Sequence, residues 1–247
     1  MSLKAEFERA GLPTTVLDDF DVGLLEWYYS FLGQENAAGG FFSAGDAHRI
    51  LERHFFEALV FARESLRSYT RLTSHNVSRE TRILDAGSGP GLPGFLFYTH
   101  RSEPAVTLLD SSRRRLGLLE SRLKAAELRH SVLQFCYERL EEHIGVYDLV
   151  IMRALIPFPA CLELICQLQK PGGMVSLSMG APPLETPAMR DYLTALGYVS
   201  RETIQPPELE FLGQRSFKIL MKASAPRKPY PRNWKRIKES IQEWTES

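Results

Sequence analysis

Between Asp85 and Gly94 the chain reads Asp-Ala-Gly-Ser-Gly-Pro-Gly-Leu-Pro-Gly, a density of glycine suited to a tight loop whose backbone approaches a ligand closely. A strand ending in Asp85, then this loop, then a helix would put the loop at the carboxyl edge of the first strand, where open α/β sheets hold their ligands. Gly89, Gly91 and Gly94 satisfy G-x-G-x-x-G, so a nicotinamide dinucleotide and S-adenosylmethionine both compete for the loop. Two features favour the second. Asp85 lies two residues before Gly87, and a carboxylate there would repel a pyrophosphate but attract the ammonium of S-adenosylmethionine, directly or through water. Pro90 and Pro93 also lack the N–H groups that a phosphate needs. Asp110, nineteen residues after Gly91, ends the second strand, where an acid can accept hydrogen bonds from both ribose hydroxyls. With Ser111 and Ser112 beside it, Asp110 is also suited to capping a helix.

These residues need elements to carry them. From Leu3 to about Leu72 apolar residues recur at helical spacing: Leu24, Leu25, Tyr28, Tyr29 and Leu32 in one run, Ile50, Leu51, His54, Phe55 and Leu59 in the next, with 36–40 read as a loop between them. From Arg82 onward short apolar strands alternate with helices, and the predicted strands are 82–86, 105–110, 132–136, 147–152 and 174–179. A helix over 113–128 carries the stripe Leu116, Leu119, Leu123 and Ala126; Leu162, Ile165 and Leu168 mark another buried face before the turn at 170–173. Runs over 199–209 and 215–221 suit an antiparallel pair at one sheet edge. The alternation predicts an α/β fold with a doubly wound, mostly parallel sheet of seven strands. It divides as an N-terminal helical extension over 1–72, a ligand-binding core over 73–225 and a basic tail over 226–247. Arg153 follows the apolar strand Leu149-Val150-Ile151-Met152 at the ligand edge. A charge there either belongs to the site or forms a salt bridge within the fold.

Composition narrows the class. With 247 residues and 44% apolar content the chain can bury one substantial core. No apolar stretch approaches the roughly 18 residues that cross a bilayer, and residues 1–10 carry acids where a signal peptide has bases, so a cytoplasmic protein without membrane contact is expected. Cys136, Cys161 and Cys166 form no C-x-x-C pair and have no clustered histidines beside them, which predicts small core residues and no metal. The formal charge of zero argues against a nucleic-acid partner, but the charge is unevenly spread. Residues 1–64 hold eleven acids against five bases, whereas 226–238 hold Arg227, Lys228, Arg232, Lys235, Arg236 and Lys238 and no acid. With Arg113, Arg114 and Arg115 near the second-strand loop, Arg232, Lys235 and Arg236 make a candidate phosphate-binding surface, on which Tyr230 and Trp234 can stack on a base or pack against the fold.

The same residues resemble a known family, the bacterial small-subunit ribosomal RNA guanine-N7 methyltransferases called RsmG, or glucose-inhibited division protein B. The loop from Asp85 to Gly94 is similar to its DxGxGxGxPG, with Gly91-Leu92-Pro93-Gly94 the more specific part, and Leu108-Leu109-Asp110-Ser111 resembles its LLDS. Glu138-Arg139-Leu140-Glu141-Glu142, Arg153-Ala154 and Tyr230-Pro231-Arg232 resemble its later motifs, so the likeness spans about residues 50 to 238. The resemblance implies a Rossmann-like class I methyltransferase using S-adenosylmethionine. Gly87, Leu92, Leu140, Glu141 and Arg153 would touch the cofactor, and the partner would be small-subunit ribosomal RNA or its particle. An apolar side chain and a carboxylate after the third strand, Leu140 and Glu141, are also suited to an adenine. The chain departs from the family at Met152, at Met179 and over 233–238. Where the family has a lysine that would contact RNA, Met179 predicts a different grip on the substrate.

The chemistry is consistent with that resemblance. Guanine N7 carries a lone pair and no proton, so its methylation requires positioning and not a general base. Neither a serine–histidine or cysteine–histidine arrangement nor an N-P-P-Y-like tetrad follows the fourth strand. Arg153 would then orient the cofactor or the guanine. The competing readings are a class I methyltransferase acting on another RNA, a small molecule or a protein, an NAD-dependent oxidoreductase, and a non-catalytic RNA-binding module.

Overall fold

Strands apolar at odd and even positions alike persist only where both sheet faces are covered, and in the computed structural model the central strands meet that condition. It describes residues 2–39, 41–42, 49–128, 131–153 and 155–245. The strands are β1 (Arg82–Ala86), β2 (Ala105–Leu109), β3 (Leu133–Cys136), β4 (Leu149–Arg153), β5 (Met174–Met179), β6 (Tyr198–Ile204) and β7 (Ser216–Lys222), ordered β3-β2-β1-β4-β5-β7-β6. The pairs from β3 to β5 are parallel, and β7 runs antiparallel to β5 and β6. The predicted seven-stranded, mostly parallel sheet is therefore present. Strand order reverses between β1 and β4, which opens the ligand crevice at their carboxyl ends.

The period of two along each strand decides what each face meets. Ile83, Leu149, Ile151, Met174 and Phe217 point into a core shared with helices α1 (Leu3–Arg9), α2 (Val22–Gly39), α3 (Glu57–Thr73), α4 (Gly94–Tyr98) and α5 (Arg113–Ala125). Leu84, Val150, Val175, Leu177 and Leu220 point the other way, against α6 (Cys161–Ile165) and α7 (Pro187–Ala195). The N-terminal helices have no core of their own: Tyr28 packs at 4.4 Å on Phe95, Phe61 at 4.9 Å on Phe217, and Ser65 shares a buried 2.7 Å hydrogen bond with Ser176. Cys161 and Cys166 are buried as expected, while Cys136 is half-buried. Among the described residues no helix is long and apolar enough to cross a membrane.

Several predictions shift: the strand expected over 147–152 runs Leu149–Arg153, the helix expected over 113–128 ends at Ala125, and three further differences have a visible cause. Residues 36–39 are the last turn of α2, not a loop, because the Asn36 carboxamide accepts the N–H groups of Phe41 and Phe42 and so closes the helix with a residue type that usually marks turns. Gly40 lies outside the described residues. The strand expected to reach residue 209 stops at Ile204, since Pro206 and Pro207 cannot donate to a ladder, and a 3-10 turn over Pro207–Leu212 follows. The helical run beginning at Ile50 is a π-helix over Ile50–Phe56 before it becomes α3.

The basic tail is anchored. Glu163 on α6 is fully buried, and its carboxylate accepts from the Arg232 side chain at 2.8 and 3.0 Å and from Tyr192 Oη at 2.5 Å. Burial alone would raise this carboxyl, but the Arg232 and Tyr192 hydrogen bonds hold it below the usual range. Arg232, expected to face phosphate, is thus committed to the interior, and Tyr230 packs edge-on against Tyr192 at 5.6 Å. The tail then continues as α8 (Trp234–Thr245). Removing one partner from a buried ion pair leaves an uncompensated charge. Arg232→Ala should therefore lower unfolding stability in urea by about 3 kcal/mol, whereas Arg236→Ala, which breaks only an exposed pair with Glu239, should leave the midpoint nearly unchanged.

Candidate functional site

The glycine loop is held by its own backbone. Gly87 and Ser88 donate to the Leu109 carbonyl, Gly91 and Leu92 to that of Ser88, Gly89 to Asp110 Oδ2 at 2.8 Å, and Gly94 to Asp85 Oδ2 at 2.8 Å. With Pro90 and Pro93 contributing none, no N–H between Gly87 and Gly94 is left for a pyrophosphate. This removes the basis for dinucleotide binding more directly than the prolines alone. Two glycines are obligatory on steric grounds. Gly91 has φ +97°, and a Cβ there would meet Leu119 at 2.4 Å; one on Gly94 would meet Leu108 at 2.3 Å and Asp85 at 2.6 Å. Tyr28 of α2 donates to the Pro90 carbonyl at 3.2 Å, fastening the N-terminal helices to the loop.

Asp85, expected beside the cofactor's ammonium, lies beneath the loop and is fully buried. Its Oδ1 is buried without a hydrogen-bond partner. Burial pushes the carboxyl up to about 7, against the lowering effect of the Gly94 N–H. Asp110 is 8% exposed, and both its oxygens are engaged: Oδ2 by Gly89 and Oδ1 by Ser112 N–H at 2.7 Å, with Arg115 at 3.7 Å. The carboxylate ties the β2–α5 turn to the glycine loop. Asp110 does not cap α5, as its neighbouring serines suggested it could, since Ser112 occupies the cap position; its oxygens retain lone pairs for hydroxyl donors.

Leu140 and Glu141 open a 3-10 turn (Leu140–Glu142) after β3, beside the end of β2. Leu140 is buried, and Glu141 is part-exposed, 3.6 Å from Arg139. Leu92 is buried in the loop itself. Arg153, expected to orient cofactor or base, is engaged within the protein at the edge of the cleft. Its guanidinium donates to the carbonyls of Arg53 at 3.0 Å and His54 at 3.3 Å, and lies 3.8 Å from Glu57. Burial lowers its pKa, and the Glu57 carboxylate opposes that. Arg153 therefore clamps β4 to the π-helical turn, because the strand's period of two puts it on the same sheet face as Leu149 and Ile151, the face that the N-terminal helices cover; Ala154 lies outside the described residues.

Beside this clamp is a cleft of about 560 Å³ at the carboxyl ends of β4 and β5. Met152, Leu177, Met179 and Phe158 give it apolar walls; Glu57 and Arg215 give it polar ones. His54, stacked at 4.1 Å on Phe42, is at its rim. Leu155 is shared by cleft and loop: it lines the cleft, and its Cδ1 lies 2.6 Å from where a Cβ on Gly87 would be. Sequence reading missed Glu57 and Arg215. The available signal was a charged residue within an otherwise apolar helical run, Phe55-Phe56-Glu57-Ala58-Leu59.

The remaining cations are more dispersed. Arg113, Arg114 and Arg115 are exposed, Arg113 lying over the Tyr137 ring at 5.1 Å. Lys235 and Arg236 are exposed on α8, as is Trp234. No metal was expected from cysteine spacing, yet the fold brings ligand atoms of Cys136, Glu138 and His143 within 4.8 Å of one another. His143 there hydrogen-bonds Glu138 and Tyr147 Oη at 2.5 and 2.7 Å.

The residues around the loop suit S-adenosylmethionine: a buried carboxylate oxygen lacks a partner, and the loop offers no phosphate donors. The sequence profile of the GidB family, described as rRNA small subunit methyltransferase G, matches residues 22–205. The ribosomal RNA small subunit methyltransferase G of Leptospira biflexa serovar Patoc is 40% identical over 221 residues, covering 89% of this chain and 87% of that protein. Its counterpart from Leptospira interrogans serogroup Icterohaemorrhagiae is 37% identical over 223 residues, covering 90% and 84%. Two solved structures share the fold. They are the 1,6-didemethyltoxoflavin-N1-methyltransferase of Burkholderia thailandensis (TM-score 0.52, 15% identity, 80% of this chain and 89% of that one) and the magnesium protoporphyrin IX methyltransferase of Synechocystis PCC 6803 (0.51, 16%, 78% and 91%). The chain belongs to the GidB family of rRNA small subunit methyltransferase G proteins, and its methyl donor is S-adenosylmethionine.

Proposed function

We propose that this chain methylates N7 of a guanosine in small-subunit ribosomal RNA, either free or within its particle. The observation that carries the reading is the match of residues 22–205 to the family, together with relatives named for ribosomal RNA. The preference for N7 has chemical support. The charged residue ending β4 is an arginine held by backbone carbonyls, a group that cannot remove a proton. N7 does not need one to.

When bound, the cofactor supplies a methyl carbon made electrophilic by a sulfonium. Asp110 would accept from ribose hydroxyls with its remaining lone pairs, Leu140 and Glu141 would hold the adenine, and Gly87, Gly89 and Gly91 would line the site with backbone alone. Asp85, buried beneath the loop, would attract the ammonium through water or through space. Leu92 packs under the same loop. Guanine N7 then needs only to be held in line in a site from which water is excluded, which is chiefly positional catalysis. Arg153 contributes by fixing the wall on which the base rests. Arg113, Arg114, Arg115, Lys235 and Arg236 supply phosphate contacts. Arg232 contributes by anchoring α8.

Deleting the gene in its host should abolish one N7-methylguanosine in small-subunit RNA, read by reduction and chain cleavage; unchanged methylation would overturn the substrate assignment. Asp110→Ala should weaken S-adenosylhomocysteine binding by about 1–3 kcal/mol, measured by calorimetry, since a charge-assisted hydrogen bond is lost. Asp85 sets a pH dependence. Its folded pKa, about 7, is raised above the unfolded value of about 3.9. Its stabilising contribution is therefore full below about pH 4 and lost as pH rises through about 7. Cofactor binding has the opposite trend, because the ammonium favours the ionised carboxyl. Affinity should rise between about pH 6 and pH 8, and Asp85→Asn should flatten that rise.

A further inference from the structure

The cleft beside Leu155 holds a donor and an acceptor next to each other. Glu57 is 5% exposed at the start of α3, and its Oε2 accepts from Arg215 Nε at 3.0 Å. Its Oε1 is 3.8 Å from Arg153 Nη2, beyond hydrogen-bond distance. Arg215 also donates through Nη1 to the Gln214 carbonyl at 2.8 Å. Among the described residues, this leaves Glu57 Oε1 as an acceptor and Arg215 Nη2 as a donor, both beside a cleft of about 560 Å³. Resting on the N7 reading above, we infer that Glu57 and Arg215 read the Watson–Crick edge of the target guanine, which lies in this cleft with its N7 turned toward the glycine loop.

The chemistry of the base gives the assignment its direction. A guanine that presents N7 to the methyl group turns N1–H and the 2-amino group away from the cofactor, with O6 at the corner that the N7 edge shares with the Watson–Crick edge. That edge calls for a donor at O6 and an acceptor beside it for N1–H and the 2-amino group, which Arg215 Nη2 and Glu57 Oε1 supply in that order. Adenine offers a donor and then a lone pair on the same edge, so its amino group would meet the guanidinium and its N1 the carboxylate. Enzymes acting on a base hold it extruded from the stack, with hydrogen bonds to that edge and apolar contacts on its faces. Met152, Met179, Leu177 and Phe158 can supply those contacts. Buried polar groups that find no partner in the wrong base discriminate strongly.

The backbone that delivers Glu57 is unusual in the way such a reader requires. Ile50–Phe56 forms a π-helix, a geometry frequent at functional sites, and it turns directly into α3 at Glu57. Arg153 donates into two carbonyls of that π-helix, so the last residue of β4 and the edge reader are parts of one rigid unit.

Two substrates and two variants test this. RNA carrying the target as guanosine or as inosine, which lacks only the 2-amino group, is methylated by the wild-type full chain and by Glu57→Gln and Glu57→Asp. Wild-type kcat/KM should fall about tenfold on inosine RNA. Glu57→Gln should lose about tenfold to a hundredfold on guanosine RNA, with less discrimination between the two substrates, and Glu57→Asp should recover part of the rate. S-adenosylhomocysteine affinity and Tm serve as readouts of cofactor site and fold. Equal wild-type rates on the two RNAs overturn the assignment without relying on any variant, as does a Glu57→Gln enzyme with wild-type kcat/KM. Wild-type protein that forms no N7-methylguanosine in any RNA overturns the substrate reading itself and this inference with it. Guanosine methylation that ignores Glu57 overturns the inference alone.

Discussion

Asp85, next to last in β1, and Arg153, last in β4, lie on neighbouring strands at the crevice, point to the same face of the sheet and are both withdrawn from solvent, and a buried charge must be matched where it lies. The fold meets that constraint with its N-terminal helices. Arg153 is matched by Glu57 and by two carbonyls of the π-helix, while Asp85 accepts from the Gly94 N–H, feels the Arg153 charge and is pushed up to about 7 by its burial. The helical extension is thus more than packing added to a finished domain. It completes the charge balance of the crevice, and it brings Tyr28 to the underside of the glycine loop.

The parallel strands and the glycine loop were legible from the sequence because their signals are local. Short apolar runs between turn residues placed β1, β2 and β5 within a residue of their observed bounds, and glycine spacing placed the loop. What could not be read was which partner each charge would find. Arg153 at the end of an apolar strand was recognisable as significant, but its partners are about a hundred residues earlier in a π-helix, and no periodicity announces a π-helix. The alternation of Leu149, Ile151 and Arg153 on one face was present in the sequence, and it pointed Arg153 toward the face that the N-terminal helices cover.

Arg232 illustrates the same limit from the other direction. In sequence it is one of six cations in thirteen residues with no acid among them, and composition treats the six alike. Glu163 distinguishes it, an acid within Cys161-Leu162-Glu163-Leu164-Ile165 whose burial only the tertiary fold reveals. The Tyr-Pro-Arg motif is then explained by docking: Tyr230 and Arg232 both reach Tyr192.

That docking has an entropic consequence for α8. A free polybasic segment loses conformational freedom when it meets an anion, and the loss weakens the contact. Here the chain leading into α8 is already pinned at Arg232, and Asn233 accepts the Arg236 N–H at the start of the helix. Lys235 and Arg236 are presented from an arm whose root was immobilised during folding, so much of the ordering cost of any later association has already been met.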